Sequence, residues 1–302
     1  MIERVIVNDV GPRDGLQNQA RMLEPGQRVQ LIEALLAAGL PAIEVGSFVS
    51  PKAVPAMAGA AEVVAGLPAG KANYSALIPN RKGYDLATSA GVSTVELVVA
   101  STETMNQKNI NTGTEQALAN AADIVNAASK DGVTTLACVA TAWECPFEGK
   151  VDEAVVLEMA GQMFSYGADE VVLADTIGAA DPAAVRSLTQ RAADEFGAAR
   201  ISCHFHDTRG MGVANVAAAL DSGIRKFDAS IGGLGGCPFA PGATGNVATE
   251  DVVLMLTQMG FETGVDLRKL VDAVDLAIAL TGNCDGGNSI NWLRRQIEKG
   301  AL

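Results

Sequence analysis

Short runs dense in β-branched and aliphatic residues recur along the chain, at residues 4–10, 42–46, 72–77, 94–99, 134–140, 170–174, 200–205 and 226–230. Each run is nearly continuous in apolar character instead of alternating, which is how a parallel strand covered on both faces reads. Between the runs the period changes to that of a helix. Residues 27–38 place Val29, Leu31, Ile32, Leu35 and Leu36 at helical spacing. After residue 180 the start signals stand in order: Asp181 as cap, Pro182 in the first turn and Gly197 past the last turn. Glycines mark most helix-to-strand joints, at Gly39, Gly66, Gly91, Gly132, Gly167, Gly197 and Gly223.

A strand–helix unit of roughly 30 residues, repeated eight times, predicts an α/β protein with a closed (β/α)8 TIM barrel. An open doubly wound sheet is the structural alternative. No linker interrupts the pattern, so a single catalytic domain is expected over residues 1–302. The barrel should occupy residues 1–260, and two further helices are expected over 266–280 and 289–298. These would form a C-terminal extension, residues 261–302, that caps the barrel or makes a subunit contact.

Composition narrows the partners. With 48% hydrophobic residues the chain has ample material for a core, and its formal net charge is −13. An acidic surface repels phosphate backbones and anionic lipid, so no nucleic-acid or membrane partner is expected, whereas local cations can still hold a small anion. No apolar run approaches the ~20 residues a membrane span needs. The five cysteines form no metal knuckle, and no signal or transit segment is visible at the N-terminus. Both observations suggest reduced thiols and a cytoplasmic protein.

The chain's two histidines, His204 and His206, stand two apart at the end of the seventh run. A strand alternates faces, so both imidazoles point to one side and can hold a metal ion. The plainer reading is a pair of ordinary strand histidines. In an α/β barrel the chemistry sits at the carboxyl ends of the strands, which favours the metal reading. Asp14 follows the first run, and Asn246 closes the glycine-rich segment after the eighth. Strands one, seven and eight are neighbours in a closed barrel, so Asp14, His204, His206 and Asn246 can converge. Two imidazoles and two oxygens without a thiolate suit Mg²⁺ or Mn²⁺; zinc is the less suitable ion for this set.

Arg13 beside Asp14 is placed to stabilise an oxyanion or enolate, or else to pair with a carboxylate at the barrel mouth. Cys237 sits in a run of glycines suited to a lid, where a thiol can move a proton at carbon; its plainer reading is a small buried hydrophobe. Glu44, Ser47, Asp175 and Thr176 fall at strand ends, where each either orients a site group or caps the next helix. For Thr176 the cap is the expected role.

These segments resemble the 3-hydroxy-3-methylglutaryl-CoA lyase family, within the metal-dependent lyase and Claisen-type aldolase barrels. The resemblance runs almost the whole length. Its most specific stretches are Gly235-Gly-Cys-Pro238 and Gly245-Asn246 through Asp251. It implies retro-Claisen cleavage of 3-hydroxy-3-methylglutaryl-CoA to acetyl-CoA and acetoacetate. The alternatives are the same chemistry on another 3-hydroxy acyl-CoA or branched hydroxy acid, or a Claisen-condensing synthase. Synthases usually carry a further region after the barrel, and only about 40 residues follow Gly260. The resemblance implies that Asp14, His204, His206 and Asn246 ligate the metal. Asp14 or a metal-side histidine would act as base, Arg13 would steady the enolate and Cys237 would protonate it. Glu44 and Asp175 match supporting positions of the family. Arg13, Gln17, Ser47, Asn109 and Thr176 are the expected substrate-binding residues, with Lys108 and Asn109 near the CoA side. A homodimer or higher homo-oligomer is implied as well. Ala20, Arg209, Met211 and the pair Trp143-Glu144 depart from the family pattern, which points to the acyl group as the feature most open to change.

Overall fold

The structure, a computed structural model, describes residues 2–236 and 245–302. Eight parallel strands close into a barrel: β1 (Ile6–Asp9), β2 (Ala42–Ser47), β3 (Asn73–Leu77), β4 (Thr94–Ala100), β5 (Thr134–Ala140), β8 (Glu170–Asp175), β9 (Ile201–Phe205) and β10 (Lys226–Ala229). Each is one of the apolar runs of the sequence, trimmed or extended by a residue or two. Closure is between β1 and its two neighbours: β1 pairs with β10 from Ile6↔Lys226 to Asp9↔Ala229, and with β2 at Asn8↔Ala42. The barrel thus brings strands one, seven and eight of the sequence reading side by side, as β1, β9 and β10.

The helices are α1 (Pro25–Ala37), α2 (Ala60–Gly66), α3 (Arg81–Ser89), α4 (Glu103–Ile110), α5 (Thr114–Asp131), α6 (Glu153–Tyr166), α7 (Pro182–Phe196), α8 (Gly212–Asp221), α9 (Thr249–Gln258), α10 (Leu267–Thr281) and α11 (Ile290–Glu298). The punctuation works as its chemistry requires. The Asp181 carboxylate accepts the amide hydrogens of Ala183 and Ala184 at the start of α7. Gly167 closes α6 at φ 104°, a left-handed conformation that costs a side-chain-bearing residue about 1–2 kcal/mol. Gly66 is the exception among the joint glycines, because it lies inside α2. The C-terminal helices begin at α10, whose Asp266 cap accepts from Arg268 and Lys269. The α10 helix packs on α1, and the Asp266 amide donates to Ala38 O at 2.8 Å.

Leu31, Ile32 and Leu35 of α1 are fully buried against the barrel's outer face, as are Ile43 and Val45 of β2 beneath them. Each such side chain contributes about 1.5–3 kcal/mol of burial. The inner face differs. Glu44, Glu96, His204 and Asp228 project from β2, β4, β9 and β10, and all but His204 are nine-tenths or more buried. One feature is absent from the sequence reading: a short antiparallel ribbon, β6 (Glu144–Cys145) with β7 (Gly149–Lys150), folded over the rim after β5.

Candidate functional site

The chain leaves β1 in a tight helical turn, Gly11–Gly15, that carries Arg13 and Asp14 over the carboxyl end of the barrel. Only glycine fits at residue 11, since a Cβ there would stand 2.7 Å from Asp9 Oδ1 and from Ile231. The fully buried Asp9 holds this turn: its carboxylate accepts from the Gly11 amide at 2.8 Å and from Thr249 Oγ1 at 2.6 Å. Burial pushes the Asp9 carboxyl up to about 6.

Arg13 is almost enclosed and ion-paired twice. Its Nε donates to Glu44 Oε2 at 2.6 Å and its Nη1 to Asp14 Oδ1 at 2.7 Å. The barrel-mouth pairing weighed from the sequence is therefore present, and Arg13 also lines the cavity. Three carboxyls lie within reach of this guanidinium's charge: Asp14 and Glu44, which pair with it, and Glu96, which does not. Burial favours the neutral form of all three. For Asp14 the guanidinium and both imidazoles outweigh burial and hold it ionised, well below the usual carboxylate range. For Glu44 and Glu96 burial prevails and drives both upward, Glu96 to about 8.

The metal reading of the histidines has its geometry. Asp14, His204 and His206 offer ligand atoms all within 4.8 Å of one another. Asp228, level with His204 in the sheet register, sits 3.1 Å from His204 Nδ1 and leaves the other ring nitrogen for the cluster. That is the carboxylate–histidine arrangement that fixes a metal-ligating ring. Burial lowers the pKa of His204, but the hydrogen bond and charge of Asp228, together with the charge of Asp14, outweigh it and raise the ring. His206 bridges backbone to Asn246 just past β9. The Asn246 amide nitrogen donates to Asp14 Oδ2 at 2.8 Å and to Leu234 O at 3.1 Å. Its Oδ1 and His206 Nδ1 are buried with no hydrogen-bond partner among the described residues. A buried acceptor left open beside an ionised carboxylate and two imidazoles fits a divalent cation. Gly235, at φ 148°, lets Asn246 approach; a Cβ there would stand 2.6 Å from Asn246 Nδ2.

The cluster opens into a cavity of about 470 Å³, a volume typical of small-ligand sites. Arg13, Asp14, Gln17, Asn109, Thr176, His204 and His206 all line it, while Glu44, Ser47, Asp175 and Asn246 do not. Glu44 acts on Arg13, and Asn246 on Asp14. Ser47 is buried at the end of β2, its hydroxyl unpartnered among the described residues. Cys237 lies outside the described residues. Neither Asp175 nor Thr176 caps the next helix, whose cap is Asp181. Thr176 caps no helix: its Oγ1 accepts from the Thr141 amide at 2.8 Å and it faces the cavity. The Asp175 carboxylate braces the loop after β8, accepting from Ala179 and Ala180.

Two departures from the family pattern turn out to be one contact. Arg209 Nη2 donates to Glu144 Oε1 at 3.1 Å, joining the β6–β7 ribbon to the loop after β9. Neither residue, nor Met211 at the start of α8, lines the cavity, and Ala20 is exposed. These four positions thus stand outside the cavity lining among the described residues. Asp9, Glu96 and Asp228 were missed. Their signal was visible, an acid inside an otherwise apolar run, but only the barrel shows that Glu96 and Asp228 point inward while Asp9, level with Ile43 in the register, points to the helix side and Thr249.

Comparison with known proteins agrees with this geometry. Residues 4–277 match the HMGL-like family. The chain is 43% identical to a 3-hydroxy-3-isohexenylglutaryl-CoA/hydroxy-methylglutaryl-CoA lyase of Pseudomonas aeruginosa, over 96% of this chain and 97% of that one. It is 42% identical to an (R)-citramalyl-CoA lyase of Chloroflexus aurantiacus, over 93% and 92%. The crystal structure of a hydroxymethylglutaryl-CoA lyase from Pseudomonas aeruginosa superposes with TM-score 0.94 at 42% identity, covering 98% of this chain and 99% of that one. The chain belongs to the HMGL-like family, that of the hydroxymethylglutaryl-CoA lyases.

Proposed function

We propose that this lyase cleaves 3-hydroxy-3-methylglutaryl-CoA to acetyl-CoA and acetoacetate. The observation that carries the reading is the convergence of Asp14, His204 and His206 beside Arg13 in one cavity. Asp14, His204, His206 and Asn246 would hold Mg²⁺ or Mn²⁺, the ions this oxygen–imidazole set suits. When bound, the ion lowers the pKa of the tertiary hydroxyl and orients the bond to be broken.

The remaining steps belong to the side chains. Asp14, kept ionised by Arg13, or a neighbouring imidazole takes the hydroxyl proton. The C2–C3 bond breaks, its electron pair passing to the thioester as an enolate. Arg13 faces that developing charge. Glu44 and Asp14 fix its Nε and Nη1, and Nη2 keeps no partner among the described residues. A preorganised cation in a water-poor cleft stabilises an oxyanion without reorganising. Cys237 would return a proton to the enolate carbon. Gln17, Asn109 and Thr176, which line the cavity, would meet the acyl-CoA; Glu44 holds Arg13, and Asp175 holds the loop after β8.

A second reading, the same cleavage on another 3-hydroxy acyl-CoA, is favoured by the similarity to the citramalyl-CoA lyase. Acetoacetate release in a coupled assay, with Mn²⁺ saturating, decides between them. No turnover of 3-hydroxy-3-methylglutaryl-CoA above background would sink the first reading. The reading includes a homo-oligomeric, cytoplasmic protein. No helix among the described residues is long and apolar enough to cross a membrane.

A further inference from the structure

Glu96 stands apart from the other buried acids of the site. Asp9 is bonded to Thr249 and Gly11, Asp14 and Glu44 to Arg13, and Asp228 to Asn8 and His204. Glu96 is 3% exposed, lines the cavity, and has no hydrogen bond or ion pair to any described residue. It lies on β4 beside Leu77 in the sheet register and one inward step below Val98. Cys138 of β5 is close enough to feel its charge. The charged groups facing it are Asp228, Arg13, Asp14 and Glu170. A lone carboxyl in a mostly apolar wall keeps its hydrogen bonds only through water or ligand oxygen. Stripping it under hydrocarbon, with nothing in return, is costly.

We propose that Glu96 contacts the acyl group and makes this pocket select 3-hydroxy acyl-CoA substrates with a compact branch at C3 over those with a long apolar one. A methyl branch leaves the carboxyl its hydrogen-bonding partners, whereas a long alkenyl branch lies across it and removes them. The inference rests on the acyl-CoA reading above. The name of a 43%-identical relative includes the isohexenyl substrate, which makes that branch the comparison to use.

The test compares 3-hydroxy-3-methylglutaryl-CoA with 3-hydroxy-3-isohexenylglutaryl-CoA, which differ only in that branch. Two ratios are read: kcat/KM with Mn²⁺, and affinity for the metal-free protein by calorimetry, which needs no turnover. The wild type should prefer the methyl substrate by about tenfold or more. Glu96→Val should shift both ratios toward the isohexenyl substrate by about tenfold, whereas Glu96→Gln should keep them within about threefold. Glu96→Ala carries the same expectation as Val should the Val variant not fold. An unchanged ratio in Glu96→Val or Ala, or a wild-type preference for the long branch, overturns the proposal. If the wild type cleaves neither ester but the affinity ratio shifts, the lyase reading fails and the role of Glu96 stands.

Discussion

The two walls of the cavity are built on opposite principles. On the wall from β1, β9 and β10, nearly every polar group is held by another: Asp14 by Arg13 and Asn246, and His204 by Asp228. The wall from β3 to β5 presents Leu77, Ile78, Val98 and Cys138, with Glu96 alone as an ionisable carboxyl and unpartnered among the described residues. Groups that must act on charge need fixed positions, so the first wall is over-determined by mutual bonds. A wall that only receives an acyl chain needs shape and one discriminating contact. On the proposed roles, chemistry and selectivity fall to different strands, and substitutions on each wall should fail in different ways.

The largest effect is expected on the first wall. Asp14→Asn removes the ionised carboxylate that binds Arg13 and lies beside both imidazoles. Calorimetry with Mn²⁺ should show affinity falling by more than the 10–100-fold that loss of an outer partner typically costs (about; order of magnitude). Unchanged affinity would remove Asp14 from the ion. Cys237→Ala should leave that affinity intact while turnover falls by about 10²–10⁴-fold, as for loss of a general acid. Full activity in this variant would refute the proton-donor role.

A smaller, pH-dependent effect joins the two walls. Asp9, raised to about 6, and Glu96, raised to about 8, keep protons in the folded chain that the unfolded chain has released. Glu250 behaves likewise; burial pushes it up to about 7, although it accepts the amides of Gly232 and Gly287. For raised carboxyls the folded state binds the extra protons, so stability falls as pH rises. His204, also raised, loses its contribution in the same direction. The metal-free protein should therefore lose a few kcal/mol between about pH 5 and 8, read as a falling Tm. A flat or rising Tm over that range would contradict the buried-acid picture. The smallest effect is expected at the rim. Arg209→Met breaks a largely exposed ion pair and should cost about 0.2–1 kcal/mol, with kcat/KM within about threefold of wild type. A large change in substrate preference would instead make the rim part of the selective wall.

Much of this was legible in the chain. The eight strands and their order follow from apolar runs and glycine joints, because a strand buried on both faces must be apolar and a helix must be stopped before the chain can return. His204 and His206 were bound to share a face by the two-residue period of a strand. Arg13 and Asp14 follow the first strand, so a barrel had to place them at its carboxyl end. Local rules decide all of these. Tertiary structure decided what no local rule contains. It took Thr176 from the expected helix cap to the Thr141 amide, just past the end of β5. It joined Arg209 to Glu144 across 65 residues, at the rim and away from the acyl site. It turned Glu96 and Asp228 inward and Asp9 outward to Thr249, giving two of the three partners and leaving Glu96 without one among the described residues. Which face of a strand an acid occupies is set by register around a closed barrel, and whether it finds a partner depends on residues hundreds of positions away, so the sequence alone could name these acids but not their roles.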